Sequence, residues 1–252
     1  MPFTFAHPLY AIPIRSIKPA YFSLTGLVLG SMAPDFEYFI ALEPHQWIGH
    51  THAGLWLEAL PLSLLFALLF HRIIRMPLVC HLPSLYRIDS RAYELLRPWS
   101  LNSLVKWVIF VISVTIGFYS HLFVDHFTHQ SGFFVGRFPF LLHPIAGIPL
   151  YKIAQHSLSL IGLLGQALLL VSLLRKVRPS TGKLPATSGR QKLLFWSVAV
   201  LIALLTVSLK LLLTESANTG GILVVAPLSG GMLGILGASL LWTISSRLSG
   251  KN

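Results

Sequence analysis

Apolar residues run in long blocks along this chain, separated by short polar clusters. The blocks show neither the two-residue alternation of a half-buried strand nor a narrow helical stripe with a charged back. Five of them approach the ~20 residues that carry a helix across a bilayer; they lie at about 54 to 74, 104 to 124, 157 to 174, 193 to 213 and 221 to 246. The ten-residue alternation of an outer-membrane barrel is missing. The pattern predicts an all-α, polytopic transmembrane helix bundle forming one membrane-embedded domain. Its expected parts are an N-terminal metal-site segment 1–53, core helices with the site over 54–174, a basic cytoplasmic loop over 175–192 and C-terminal packing helices over 193–252.

One stretch resists this reading. Residues 20–42, "AYFSLTGLVLGSMAPDFEYFIAL", hold an apolar run too short to span comfortably and interrupted by "APDFE". Two structures fit it. One is a broken or re-entrant helix whose turn at Pro34 is tolerated because protein buries it; the other is a sixth span leaving a cytoplasmic N-terminus that bears Arg15 and Lys18. The first is preferred. In the last block, Gly230, Gly234 and Ala238 stand four apart, a spacing that lets helix backbones approach closely, either within the chain or between two copies.

Composition agrees: 54% of residues are hydrophobic and only 11% charged, against roughly 25% charged in a soluble domain. The formal net charge of +11 would suit a nucleic-acid binder, but its distribution opposes that. Most of the 19 basic residues fall in two loops and the tail: Arg72, Arg75, Arg87, Arg91, Arg97 and Lys106; Arg175, Lys176, Arg178, Lys183, Arg190 and Lys192; then Arg247 and Lys251. These lie on one side of the predicted bundle. The positive-inside rule makes that side cytoplasmic and implies a multi-pass protein of the cytoplasmic (inner) membrane. The N-terminus lacks a basic n-region, a continuous apolar run and a small-residue cleavage site, so it is expected to remain, with His7. A lone cysteine, Cys80, excludes an internal disulfide and a thiolate metal site.

Candidate chemistry gathers on the opposite face. In "SHLFVDHFTH", His121, Asp125 and His129 stand at i, i+4 and i+8 and share one helix face, each about 40° round from the last. Imidazole and carboxylate at that spacing can hold one metal ion. One helix supplies too few ligands, and the remaining candidates come from other segments: His50 and His52 of "GHTHAG", His156 of "QHS", Asp35 and Glu37 of "APDFEYF", and His7 of "FAHP". His45, His126 and His143 read as interfacial histidines, a polar tip on an apolar body. Glu58, a few residues into its span, costs enough there to be a functional suspect or a snorkelling side chain.

The segments "PFTFAHP", "GSMAPDFEYF", "GHTHAG", "SHLFVDHFTH" and "YKIAQHSLSLIG" together resemble the bacterial membrane family of unknown function DUF4184, over most of the chain. More distantly, "APDFE" and "SHLFVD" are similar to motifs of the YdjM-type inner-membrane proteins, described as metal-dependent hydrolases. The histidine those proteins carry five residues before the position of His52 is Trp47 here, and His50 stands nearby. The order His7, Asp35, His52, His121 with Asp125, His129 and His156 also resembles the ligand order of the zinc-dependent phospholipase C and S1/P1 nuclease superfamily. Its closing glutamate is replaced by Leu160, so the resemblance implies one or two metals and not three.

Together these features lead to the expectation of a metal-dependent hydrolase with a divalent cofactor, most simply zinc for nitrogen and oxygen ligands, acting on membrane lipid or a lipid-linked phosphoester at the extracytoplasmic face. Asp35 or Glu37 would bridge metals or act as general base. An ion- or proton-coupled transporter and a non-catalytic metal-binding scaffold remain the alternatives.

Overall fold

The computed structural model describes residues 3–179 and 184–248, apart from the side chain at position 247. Of the basic residues in the loops and tail, Lys183, Lys251 and the Arg247 side chain therefore lie outside the described residues. Among the described residues the chain is helical almost throughout, with one two-stranded hairpin, Pro144–Ile145 against Ile148–Pro149. Its principal helices are α1 (Pro8–Ala11), α2 (Leu24–Met32), α3 (His52–His81), α4 (Leu104–Thr128), α5 (Leu150–Lys176), α6 (Gly189–Leu213) and α7 (Thr219–Leu248). The last five are long and apolar enough to cross a membrane, which makes this a multi-pass membrane protein.

Residues 20–42 form a broken helix. α2 ends at Met32, a 3-10 turn covers Ala33–Asp35, and α-helix resumes over Phe36–Ala41. Pro34 is the cause, since it lacks the N–H that the ladder needs and crowds the preceding turn. The same physics marks α3, whose ladder widens into π-turns over Leu55–Ala59 and Phe70–Ile74. Each widened turn contains the carbonyl four residues before a proline, Pro61 or Pro77, with which the proline ring would otherwise collide.

By packing, the chain divides into two compact units. The first comprises the residues up to Phe36, Trp47–Ala67 and Ser100–Val171. Its centre is the crossing of α2 and α4, where glycines replace side chains at the contact. A Cβ on Gly30 would overlap the Val114 backbone, and one on Gly117 would lie 2.5 Å from the Leu27 carbonyl oxygen and 2.6 Å from the Ser31 nitrogen. Lipid offers little hydrophobic drive between helices, so such close backbone approach is what holds them together. Phe110, Val114 and Phe118 of α4 and Leu27 of α2 are buried there.

The N-terminal segment is strapped to α5. Gly162 lets the Ala6 backbone lie against that helix, the Gln166 amide donates to the Phe5 carbonyl at 2.6 Å, and the Tyr10 hydroxyl donates to the Leu158 carbonyl at 2.5 Å. Phe3 N donates to Ser159 Oγ at 2.9 Å.

The second unit comprises Glu37–Gln46, Leu68–Trp99 and the residues from Ser172 on. α6 and α7 pair antiparallel, with Gly230 against Ala203 and Gly234 against Ala199, so the small-residue row of α7 is used within the chain. Ala238 completes it, buried with Phe195 and Ala199. His81 belongs to this packing: its Nδ1–H donates to the Pro77 carbonyl at 2.7 Å, its ring stacks on Phe195, and its own carbonyl receives Trp196 Nε1–H at 2.9 Å.

Candidate metal centre

The first unit brings five of the singled-out side chains to one buried point, delivered by four local devices. His7 sits between a 3-10 turn, Thr4–Ala6, and α1, which opens on Pro8; proline suits a first helical position because that N–H has no partner within the helix. Asp35 ends the 3-10 turn that Pro34 creates. His50 lies in the turn before α3, which Thr51 ties off: its hydroxyl donates to the Ile48 carbonyl at 2.7 Å and accepts from Gly54 N at 3.0 Å. His121 and Asp125 lie one turn apart near the end of α4.

Their ligand atoms converge. His121 Nε2 is 3.2 Å from Asp125 Oδ2 and 3.8 Å from Asp35 Oδ1. His50 Nε2 is 3.5 Å from both of those oxygens. His7 Nε2 is 3.7 Å from Asp125 Oδ1, and the His7 ring stacks on that of His121 with centroids 3.7 Å apart and planes 14° apart. His7, His121 and Asp125 form one triplet able to hold a metal ion, and Asp35, His50 and His121 form another. Tetrahedral zinc with bonds of about 2.0–2.1 Å keeps its ligand atoms about 3.3–3.4 Å apart, the spacing these atoms approach.

Hydrogen bonding sharpens the point. His121 Nδ1–H donates to the Ser31 carbonyl at 2.8 Å, so neutral His121 turns the lone pair of Nε2 toward two carboxylates. His121 Nε2, Asp35 Oδ1 and both carboxylate oxygens of Asp125 are buried and make no hydrogen bond. Buried charges left so cost several kcal/mol each, and a cation among them offsets that cost. The other oxygen of Asp35 accepts from the Thr4 hydroxyl at 2.5 Å. Burial pushes the Asp35 carboxyl above the usual carboxylate range, against the pull of the His121 and His50 imidazoles and the Thr4 hydroxyl. Access is from one side: the side chains of His50 and His129 are 14% and 28% exposed, while those of His7, Asp35 and His121 are sealed.

Four candidates are not brought to this point. His52 is exposed, its Nδ1 2.8 Å from the Tyr119 hydroxyl, because the Thr51 turn aims His50 inward and the residue two further on outward. His156 is exposed on α5, whose face toward the N-terminal segment is made by Leu158, Ser159, Gly162 and Gln166. His129 stands just past the end of α4, so it leaves the helical face shared by His121 and Asp125. Its Nδ1–H folds back onto the Asp125 carbonyl at 3.0 Å, with Asp125 Oδ1 3.8 Å away. Glu37 is buried, belongs to the second unit and is in neither triplet; two residues beyond Asp35, it points about 200° round the helix.

Thr4 and the Ser31 carbonyl, which orient Asp35 and His121, escaped the sequence reading. A signal for the second existed in "GLVLG", where Gly26 and Gly30 have the same four-residue spacing as Gly230 and Gly234 and mark the α2–α4 crossing.

The profile of one protein family, the domain of unknown function DUF4184, matches residues 1–243, and the chain belongs to that family. No curated protein and no solved structure matches it.

Proposed function

We propose that this member of the DUF4184 family is a metal-dependent hydrolase of the cytoplasmic membrane that cleaves a lipid or lipid-linked phosphoester at the extracytoplasmic face. The observation that carries the reading is the meeting of three imidazoles and two carboxylates at one buried point, with His121 presenting a lone pair to Asp35 Oδ1 and Asp125 Oδ2, oxygens that make no hydrogen bond. The donor set, nitrogen and oxygen without sulfur, fits a divalent ion of the zinc type. When bound, such an ion supplies Lewis acidity, polarising an ester or phosphoryl oxygen and acidifying water.

The chain's own residues do the rest. His7, His121 and Asp125 in one grouping, and Asp35, His50 and His121 in the other, would hold such an ion through the atoms that converge. The Ser31 carbonyl fixes the His121 ring and the Thr4 hydroxyl fixes Asp35, as outer partners do for metal ligands generally. His129, its Nδ1–H spent on the Asp125 carbonyl, keeps Nε2 to accept and return a proton at the open edge.

A membrane-borne substrate is supported by the site's position and by the loop beside it. Asp125 lies one turn from the end of α4, about 5 Å by helix rise, so the cluster sits at one end of a span. The connection from α4 to α5 exposes Phe133, Phe138, Phe140, Ile145 and Ile148, carries Arg137 and no acidic residue, and suits an anionic headgroup layer. The loop charges support a cytoplasmic location for the opposite ends of the spans.

Metal analysis of detergent-purified protein tests the reading, beside His121→Ala and Asp125→Ala: metal in the wild type and its loss in both variants is expected. A panel of phospholipids and phosphodiesters then separates a hydrolase from a scaffold, and ion flux in liposomes separates both from a transporter. Wild-type protein that stays metal-free after metal-replete expression refutes the proposal.

A further inference from the structure

We propose that the turn Arg15–Tyr21, the tip of an N-terminal hairpin, binds an anionic phospholipid headgroup in the leaflet opposite the His/Asp cluster, with Arg15 and Lys18 on its phosphate. This surface takes no part in the metal reading, and each can fail without the other.

The chain leaves the cluster at His7 and returns to it at Asp35. His7 stands beside Asp125, α1 packs on both α2 and α4, and α2 then runs parallel to α4 as far as Ser31, whose carbonyl meets His121. Register with α4 measures how deep the turn between α1 and α2 reaches. Ser23 N donates to Ser113 Oγ at 2.8 Å, and Gly26 lies against the Phe110 carbonyl. By helix rise, Phe110 is about 9 Å from Leu104, the first residue of α4, and Asp125 about 31 Å from it. α4 has 25 residues and is about 37 Å long, against a ~30 Å hydrocarbon core, so a few ångströms of it project at each end. The residues before Ser23 therefore lie close to the hydrocarbon boundary at the Leu104 end, away from the cluster.

The chemistry of the turn fits a headgroup layer. Every residue from Arg15 to Tyr21 is exposed, Ile17 at 75% and Tyr21 at 63%. The α-helical turn Ile14–Ile17 stops at Lys18, and a 3-10 turn over Pro19–Tyr21 leads to an extended Phe22. Irregular backbone cannot stand exposed in hydrocarbon, which offers its polar groups no partners, so headgroups and their water cover it. Lys18 Nζ lies 5.7 Å from the centroid of the Tyr21 ring, a cation and an amphipathic aromatic of the kind that gathers at this depth. Among the described residues neither Arg15 nor Lys18 is in an ion pair; the lysine ion pairs are Lys192 with Asp89 and Lys210 with Glu43, both in the second unit. The acidic residues of the first unit are Asp35 and Asp125 in the cluster and Glu58 in the first π-turn of α3, which starts from the same end. Cations at the edge of hydrocarbon are costly unless their long side chains reach an anion. Lipid phosphate is that anion, and two neighbouring cations favour a headgroup of net negative charge over a zwitterionic one.

The test attaches a thiol-reactive fluorophore to the exposed position 16 through Ser16→Cys, in the full-length chain reconstituted in phosphatidylcholine vesicles. Cys80 is buried, and the chain without Ser16→Cys controls for its labelling. Quenching is compared for equal small fractions of phosphatidylglycerol and of phosphatidylcholine with brominated acyl chains. A preference of about fivefold or more for the brominated phosphatidylglycerol is expected at low salt. It should vanish when Arg15→Gln and Lys18→Gln are combined, and persist in Arg137→Gln, beyond the other end of α4. Equal quenching by the two lipids, or a preference that survives the double substitution, overturns the inference. A fluorophore that neither lipid quenches also overturns it, since the turn would then face water or another protein. A double variant that fails to fold does not block the test, because equal or absent quenching in the chain that keeps Arg15 and Lys18 already decides against it.

Discussion

Replacing Gly117 with alanine inserts a methyl group where two backbones nearly touch, and its effect should be read at the proposed metal centre, one helical turn further along α4. The added Cβ would lie 2.5 Å from the Leu27 carbonyl oxygen and 2.6 Å from Ser31 N, whereas ordinary contact begins at 3.4 Å. α2 and α4 must therefore part locally by ~1 Å, a backbone shift of the kind that costs about 1–3 kcal/mol. Ser31 moves with α2. Its carbonyl now receives His121 Nδ1–H at 2.8 Å, and the added separation takes that pair beyond about 3.5 Å, where the bond is lost. Loss of such an outer partner typically lowers metal affinity about 10–100-fold. Purified Gly117→Ala should keep its helical circular dichroism, melt at a lower temperature, and surrender metal to a chelator at correspondingly lower concentration. Gly231→Ala is the control, since an added Cβ there meets nothing within 4 Å. A folded Gly117→Ala protein that holds metal as tightly as the wild type would refute the link from helix packing to ligand orientation.

Three further outcomes are expected from the same geometry. Thr4→Val removes the hydroxyl that donates to Asp35 and should weaken metal retention about 10-fold or more in chelator competition, whereas Thr4→Ser restores it; equal retention in all three proteins would show that Asp35 needs no orienting partner. His52→Ala and His156→Ala, at positions outside the cluster, should leave metal content unchanged, while His50→Ala lowers it; the reverse order would refute the assignment of His50, and not His52, to the cluster. In the second unit Asp89 accepts from Lys192 Nζ at 2.6 Å and from the Ser84 hydroxyl at 2.8 Å, and with Ser90 N–H these outweigh the effect of burial and hold its carboxyl below the usual carboxylate range. A depressed folded pKa means that this contribution is fully present above about pH 4, the unfolded value, and is lost as pH falls through the lower folded value. Melting temperature should therefore show an acid-side decline that Asp89→Asn lacks, with the variant less stable at neutral pH by about 1–3 kcal/mol; parallel pH profiles would contradict this.

The spans were legible because each is a local property: a helix in lipid satisfies its backbone internally, so a long enough apolar block suffices to specify it. The break at Pro34 was legible for the same reason, since a missing N–H acts on its own turn. His121 and Asp125 could be paired because a helix repeats every 3.6 residues. His129 could not be kept with them, because α4 ends at Thr128 and His129 itself is extended.

The all-α class, five helices long and apolar enough to span, and a broken N-terminal helix were thus decided by the amino-acid sequence alone. The choice of His50 over His52, the exposure of His156 and the stacking of His7 on His121 were decided by tertiary structure. The reason is physical. Periodicity tells which side chains share a face of one helix, but convergence of separate chain segments depends on how closely helices approach. Here that approach is set by glycines at Gly30, Gly117 and Gly162, whose missing side chains matter only to the neighbour across the gap.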